Sequence, residues 1–197
     1  MTQVTPIRSV DAEALRRSLS SLSEAIRFRD EGTQSHDEEV GLLAVELGRH
    51  LGLHGSHLER LYLAGLVHDL GKIGVRDDIL LKEGPLTAED RAAMERHPEL
   101  AAQILRPLPG AEPLVAIILA HHECPDGSGY PQGLRGGAIP LEARILQVAD
   151  VFSALVEVRP YKGAMPAAEA LTWMRAQGAG RFDGDCLEAL ATVLEAG

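Results

Sequence analysis

The sequence is poor in aromatic residues and cysteine, and it has no long run of apolar residues. Its 197 residues include only three Phe, three Tyr and one Trp, so the core must be built mainly from aliphatic side chains, which favours packed helices. The two cysteines, Cys124 and Cys186, form no Cys-x-x-Cys motif and do not indicate a disulfide framework. The longest apolar run, residues 114–120, is far too short to cross a bilayer. The first 30 residues carry charges where a secretion signal needs an apolar stretch, so we expect a reduced, cytoplasmic protein without membrane association.

Basic residues are also scarce relative to acidic ones. There are 19 Lys and Arg against 29 Asp and Glu, which gives a formal net charge of -10. This balance argues against a protein that binds duplex nucleic acid through a basic face. A small phosphate substrate stays compatible with it, because bound metal ions can reverse the local sign of the charge. The apolar fraction of 45% excludes wholesale disorder, and the length suits one domain.

Apolar residues recur at intervals of three and four along most of the chain, as is typical of amphipathic helices, and strand-like alternation is nowhere sustained. The predicted fold class is therefore all-α, with about seven to nine helices. Thr87, followed by Glu89 and Asp90, has the chemistry of a helix N-cap with an acidic first turn. The segments with helical periodicity are residues 10–28, 35–51, 57–70, 87–105 with a break at Pro98, 113–122, 140–158, 166–177 and 183–196.

Residues 123–139 interrupt this pattern with a long loop that contains five glycines. Loops of this length inside a compact domain are usually functional or disordered. Because the loop directly follows the paired histidines His121 and His122, we expect it to be functional.

Histidines and carboxylates occur in apolar surroundings at three places. His68 and Asp69 end one apolar helix, His121 and His122 end another, and Asp150 lies in the middle of a third. An ionised carboxylate in an apolar setting needs a partner charge, hydrogen bonds or a metal ion. Adjacent helical residues point about 100° apart, so each pair can reach two neighbouring ions more easily than one. The pattern favours either a metal cluster in which an Asp bridges two ions, or separate structural residues with hydrogen-bonded side chains.

Together with their neighbours, these residues resemble the HD-GYP family of the HD superfamily. The resemblance covers about residues 25–190 and rests on a highly specific set of motifs. They are residues 68–74 with the His-Asp pair, 97–99, 121–123, 126–131 with the Gly-Tyr-Pro sequence, 139–145, 148–152 and 159–162, preceded by Asp30, Thr33 and His36.

The resemblance implies a helical lead-in at residues 1–24 and an HD-GYP domain at residues 25–197, folded as an HD-type helical bundle. It implies a phosphodiesterase that cleaves cyclic di-GMP to linear pGpG, and slowly to GMP, through a metal-bridging hydroxide. Two divalent ions, iron or manganese, would be held by His36, His68, Asp69, His97, His121, His122 and Asp150. Asp69 would bridge the ions, and Lys72 would face the phosphate and its leaving group. The implied substrate contacts are Asp30, Gly129, Tyr130, Pro131, Arg159 and Lys162.

Four places depart from the common pattern of the family. Ser153 stands where many members have Asp, Glu39 where Arg is frequent, and Gly32 where members with a third metal have Glu. The fourth is Cys124 and Pro125, which replace a basic-aromatic pair. None of the four removes an implied ligand of the two ions, and Gly32 offers no side-chain ligand for a third, so we expect two ions rather than three.

Two other functions fit the sequence. One is an HD hydrolase that acts on another nucleotide, against which the intact Gly129-Tyr130-Pro131 argues. The other is a weakly active module that binds cyclic di-GMP or docks diguanylate cyclase domains through the loop, a reading that Ser153 keeps open. The expected partners are a diguanylate cyclase domain or a separate sensor protein, and regulatory input would come from such a partner or from a larger parent chain. The sequence also leaves a homodimer open.

Overall fold

The computed structural model describes residues 9–27, 33–157, 163–178 and 180–196. Within these ranges there is no strand, and there are nine α-helices of seven or more residues, which confirms the predicted all-α class. None of the described helices has the length and apolar character needed to span a membrane. With the single-turn helix α4 included, the helices are α1 (Ser9–Arg27), α2 (Thr33–His50), α3 (Ser56–Val67), α4 (Asp77–Leu80), α5 (Ala88–Met94), α6 (His97–Leu105), α7 (Glu112–Ala120), α8 (Leu141–Val156), α9 (Ala167–Ala176) and α10 (Gly184–Ala196).

The core is aliphatic, as the shortage of aromatic residues predicts. Helix α2 packs against α3 and α8, and α6 packs against α7. Helix α1 also contributes to the core through Leu19. The predicted boundary between the helical lead-in and the HD-GYP domain, at residues 24 and 25, falls inside this helix and stays a prediction. The largest fully buried side chains are those of Leu19, Leu47, Leu61, Leu70, Leu105, Leu114, Ile118, Ile139, Ile145, Leu146, Met174 and Leu190.

Two helix boundaries differ from the sequence prediction. The break predicted at Pro98 within residues 87–105 lies earlier, between Met94 of α5 and His97 of α6, which leaves Pro98 in the first turn of α6, where its missing N–H is tolerated. Thr87 caps α5 as predicted, since its side chain accepts a hydrogen bond from Asp90 N at 3.2 Å. Helix α3 ends at Val67 instead of Leu70, and a 3-10 helix follows at Leu70–Gly74.

This early end of α3 is linked to a close backbone contact at Gly71. A Cβ atom at this position would lie 1.8 Å from the carbonyl oxygen of His97, so only glycine fits. The contact holds the 3-10 helix against the start of α6. It thereby brings His97 beside the chain that carries His68 and Asp69.

Candidate metal centre

The seven residues that the sequence predicts as metal ligands converge in one cluster. They come from helix ends and from one helix interior: His36 from the first turn of α2, His68 and Asp69 from the end of α3, His97 from the start of α6, His121 and His122 from the end of α7, and Asp150 from α8. Five of them are buried, and His122 and Asp150 are half-buried.

The cluster divides into two groups with Asp69 between them. In the first group, His36, His68 and Asp150 offer ligand atoms within 4.8 Å of one another, and in the second group His97, His121 and His122 do the same. One oxygen of Asp69 lies 3.5 Å from His68 Nε2, and the other lies 3.5 Å from His97 Nε2. The carboxylate therefore faces one histidine of each group, which is the placement that a bridging ligand requires.

Backbone carbonyls fix the orientation of three imidazoles. The Nδ1 atoms of His68, His97 and His121 lie 2.8, 2.9 and 2.6 Å from the carbonyl oxygens three residues earlier in the chain. A carbonyl can only accept a hydrogen bond, so each Nδ1 must carry the proton. In the neutral imidazole this leaves the Nε2 lone pair directed into the cluster, as is usual for a metal ligand.

The described residues do not supply a hydrogen-bond donor for every one of these lone pairs. His122 Nε2 lies 3.1 Å from His97 Nε2 and can donate to it in one tautomer, but His97 Nε2 and His121 Nε2 are 3.4 Å apart although both are acceptors. His68 Nε2 is buried and has no hydrogen-bond partner among the residues that the structure describes. A cation between these atoms removes the repulsion and supplies the missing partner, so the residues present fit a metal centre.

The charges of the cluster are consistent with this fit. Burial opposes ionisation of Asp69, but Lys72 and the neighbouring histidines outweigh it and hold the pKa of this carboxyl well below its usual range. The pKa of Asp150 is also well below its usual range, because the hydrogen bond with His36 and the nearby imidazole of His68 outweigh the effect of burial. Burial lowers the pKa of His122 to about 3, and it keeps His97 and His121 neutral by the same effect.

His68 differs from the other histidines. Burial lowers its pKa, but Asp69 and Asp150 outweigh burial and raise the pKa to about 10. The surroundings of His68 Nε2 therefore favour a positive charge at this atom, which a proton or a metal ion can supply.

Lys72 lies in the 3-10 helix Leu70–Gly74 and contacts the cluster through Asp69. Its Nζ atom donates a hydrogen bond to Asp69 Oδ2 at 2.5 Å, and its side chain is partly exposed. It is therefore a cation next to the predicted bridging carboxylate.

The glycine-rich loop returns to the same histidines. The ring of Tyr130 packs on that of His122, with centroids 4.8 Å apart and planes inclined by 30°. Tyr130 N donates to the carbonyl oxygen of His122 at 3.2 Å, and Pro131 follows directly. Gly129 allows this approach, since a Cβ there would lie 2.4 Å from the same oxygen. Burial raises the pKa of Tyr130, so its hydroxyl stays protonated and can donate.

Sequence reasoning gave no role to Glu123, which holds this loop in place. The carboxylate is fully buried and accepts hydrogen bonds from Gln132 N at 2.6 Å and Leu134 N at 2.9 Å. It thus fixes the segment that directly follows Tyr130. The available signal was its position, next to His122 inside a recognised motif.

Replacement of Glu123 by Gln is expected to destabilise the protein. One loop N–H would face an amide NH2 group in place of an oxygen, and a charge-assisted hydrogen bond would be lost, which costs about 1.5–3 kcal/mol of unfolding free energy. Urea denaturation measures the loss. The exposed Glu39→Gln serves as the control and should change stability by less than about 0.5 kcal/mol. Equal stability of the two variants would contradict the role given to Glu123.

A second carboxylate that sequence reasoning missed, Asp37, lies beside His68. It is buried, and its Oδ1 atom has no hydrogen-bond partner within residues 9–27, 33–157, 163–178 and 180–196. Burial raises its pKa to about 7. Three predicted substrate contacts, Asp30, Arg159 and Lys162, lie outside the described residues and stay predictions.

Comparison with known proteins gives matches along most of the chain. A family model described as HD domain matches residues 20–186. The cyclic di-GMP phosphodiesterase response regulator RpfG of Xanthomonas campestris is 43% identical over 180 residues, which are 90% of this chain and 48% of that protein. The 3'3'-cGAMP-specific phosphodiesterase 1 of Vibrio cholerae is 36% identical over 170 residues, 86% of this chain and 39% of that protein. The chain thus spans about half the length, or less, of these curated relatives.

A solved structure has a similar fold. Bd1817, an HDG"Y"P protein from Bdellovibrio bacteriovorus, superposes with a TM-score of 0.72 over 93% of this chain and 64% of that one. The two sequences are 21% identical, so this likeness concerns the fold alone.

Proposed function

The chain belongs to the HD domain family, as its HD-GYP motifs predict, and on this premise we propose that it is a metal-dependent phosphodiesterase that hydrolyses cyclic di-GMP to linear pGpG. The observation that carries the proposal is the convergence of seven His and Asp side chains in two groups that share Asp69. The name of the relative from Xanthomonas campestris supports the choice of cyclic di-GMP.

In this proposal the two groups hold two ions. His36, His68 and Asp150 would hold one, His97, His121 and His122 would hold the other, and Asp69 would be shared by both. Bound divalent ions would supply water activation and charge stabilisation for the attack at phosphorus. The mixed imidazole and carboxylate ligands suit iron or manganese.

The ligand charges explain how an acidic protein attracts a phosphodiester. Five neutral imidazoles and two carboxylates bring a charge of about -2 against +4 from two divalent ions, which leaves a local excess of about +2. Lys72 adds to this excess, because its ammonium group lies beside Asp69. The net charge of -10 therefore does not describe the surroundings of the site.

Residues around the cluster have distinct proposed tasks. Lys72 stabilises negative charge on the reacting phosphate and the leaving oxygen. Tyr130, held on His122 by Gly129 and followed by Pro131, offers a ring and a protonated hydroxyl to the nucleotide. The remaining proposed substrate contacts are Asp30, Arg159 and Lys162.

The direct test is chromatography of cyclic di-GMP after incubation with the metal-loaded protein, together with analysis of bound metal. We expect linear pGpG in the presence of iron or manganese and none after chelation. A parallel reaction with 3'3'-cGAMP tests the second candidate substrate, which the relative from Vibrio cholerae favours. Binding of cyclic di-GMP without turnover would instead favour the regulatory module, in which a cyclase domain or a sensor protein is the partner. Those partners, a homodimer and a cytoplasmic location stay predictions.

The time course of the reaction is expected to show pGpG well before GMP. Glycine at position 32 offers no side-chain ligand for a third ion. Ser153 is buried one turn after Asp150 and brings no positive charge to bind the extra terminal phosphate of pGpG, so the second cleavage should be slow. Quantifying both products over time by chromatography tests this. Appearance of GMP without a preceding rise of pGpG would contradict it.

A further inference from the structure

The two groups of ligands differ in what lies behind their imidazoles. His97 and His121 are held by the neutral carbonyls of Met94 and Ile118. In the other group, His68 is held in the same way by the carbonyl of Gly65, but both histidines also have a carboxylate oxygen within 4 Å of Nδ1. These carboxylates belong to Asp37 and Glu157, and neither is among the predicted metal ligands.

Glu157 lies behind His36. Its Oε2 atom is 3.6 Å from His36 Nδ1, which is buried and makes no hydrogen bond within the described residues. The opposite ring nitrogen, His36 Nε2, faces Asp150 at 3.2 Å. When Nε2 serves as a ligand, the proton of the neutral ring must be on Nδ1, where it points at Glu157.

Asp37 lies behind His68. Its Oδ1 atom is 3.8 Å from His68 Nδ1, and its side chain is only 2% exposed. Since this oxygen has no hydrogen-bond partner, its charge is costly unless positive charge lies nearby. A divalent ion bound to the opposite nitrogen of His68 supplies that charge through the ring.

We propose that the metal centre is asymmetric. The position formed by His36, His68 and Asp150 binds its ion more tightly than the position formed by His97, His121 and His122. The difference arises because Asp37 and Glu157 act as positioning residues behind the first pair of histidines. A carboxylate that faces the outer N–H of a ligating imidazole fixes its orientation and raises its basicity, which is the role given to Glu157 behind His36. Asp37 acts on His68 through its negative charge, because the outer N–H of His68 donates to the carbonyl of Gly65. The first position also has Asp150 as a ligand of its own, whereas the second has three imidazoles and only the shared carboxylate of Asp69.

Stepwise loading follows from this asymmetry. At limiting metal the protein holds one ion at the tighter position, and the second ion completes the centre only at a higher metal concentration. The inference rests on the metal centre of the proposed function, and it adds that metal supply regulates the activity. It does not depend on which nucleotide is hydrolysed.

The test is a calorimetric Mn²⁺ binding curve of the full chain after removal of metal, with no nucleotide present. We expect two steps whose dissociation constants differ by at least about tenfold, the scale of such outer partners. His121→Ala should remove the weaker step, and His36→Ala the tighter one. Two equal steps in the unmodified protein would overturn the inference, as would the reverse assignment.

The outer carboxylates are tested by Asp37→Asn and Glu157→Gln, which keep the size of each side chain. Each should weaken the tighter step by about 10–100-fold and leave the weaker step nearly unchanged. Glu38→Gln, at an exposed neighbour of Asp37 on α2, is the matched control and should change neither step. Circular dichroism checks that each variant folds. If Asp37→Asn does not fold, the effect of Glu157→Gln on the tighter step decides the test. This variant should fold, because it changes a partly exposed side chain at the end of α8.

The failures of the two proposals can be told apart. An unchanged tighter step in the folded variants, or an equal change of both steps, overturns the asymmetry while the metal centre stands. Absence of Mn²⁺ binding overturns both. Two-step binding without hydrolysis of any cyclic dinucleotide leaves the asymmetry supported and overturns the proposed activity.

Discussion

Asp69→Asn is expected to abolish hydrolysis and to remove much of the bound metal. Each oxygen of Asp69 faces one group, at 3.5 Å from His68 Nε2 and 3.5 Å from His97 Nε2. An asparagine replaces one of these oxygens by an NH2 group, which has no lone pair for a cation, and it removes a negative charge from between two ions. This one substitution therefore affects both groups at once.

The measurements for Asp69→Asn are metal content of the purified protein and chromatography of cyclic di-GMP. Asp185→Asn is the matched control, because it removes the same charge from an exposed position in the first turn of α10. The control should keep its metal and its activity. Circular dichroism distinguishes loss of metal from loss of fold. Near-normal metal content and turnover in folded Asp69→Asn would reject the bridging role.

Part of the cluster could be predicted from the residues themselves, because their chemistry conflicts with their surroundings, whereas His36 and His97 came from the resemblance to the HD-GYP family. His68, Asp69 and Asp150 interrupt apolar stretches that otherwise predict buried helix faces. A buried polar residue of this kind needs a partner, so its identity is informative. The helices themselves follow from periodicity, and their boundaries shift where a contact distant in sequence intervenes, as at Gly71 and His97.

The outer carboxylates were harder to predict, because charged residues are usually exposed. Asp37 is followed by Glu38 and Glu39, and of the three only Asp37 is buried. A signal did exist: position 37 lies three residues before Val40 and seven before Ala44, on the buried stripe of α2. Extending this stripe towards the start of the helix would have marked Asp37 as a buried carboxylate.

For Glu123 the only signal was its place next to His122 in a motif, and no periodicity indicated its role. Its partners, Gln132 N and Leu134 N, are nine and eleven residues further along a loop without periodicity. A side chain that binds the backbone of an irregular segment cannot be predicted from helical or strand-like patterns. The loop was recognisable as functional from its glycines and its place after His122, but its path depends on these hydrogen bonds.

Lys72→Ala is expected to lower kcat by about 10²–10³-fold, the scale for loss of one group that stabilises charge in the transition state. The position of Lys72 separates this role from metal binding. Its Nζ atom donates to Asp69 Oδ2 at 2.5 Å, so its positive charge competes with a metal ion for the same carboxylate. Its removal should therefore leave metal binding intact or strengthen it.

Steady-state kinetics and metal analysis of Lys72→Ala test this separation. The control is Lys82→Ala, which also breaks a lysine–aspartate pair, here with Asp90 of α5, where no metal ligand is involved. It should keep both its metal and its kcat. For Lys72→Ala, a loss of metal would show that the lysine orients Asp69 instead of stabilising the reacting phosphate. A rise in KM at unchanged kcat would show that it only binds substrate, since a residue that acts in the transition state must change kcat.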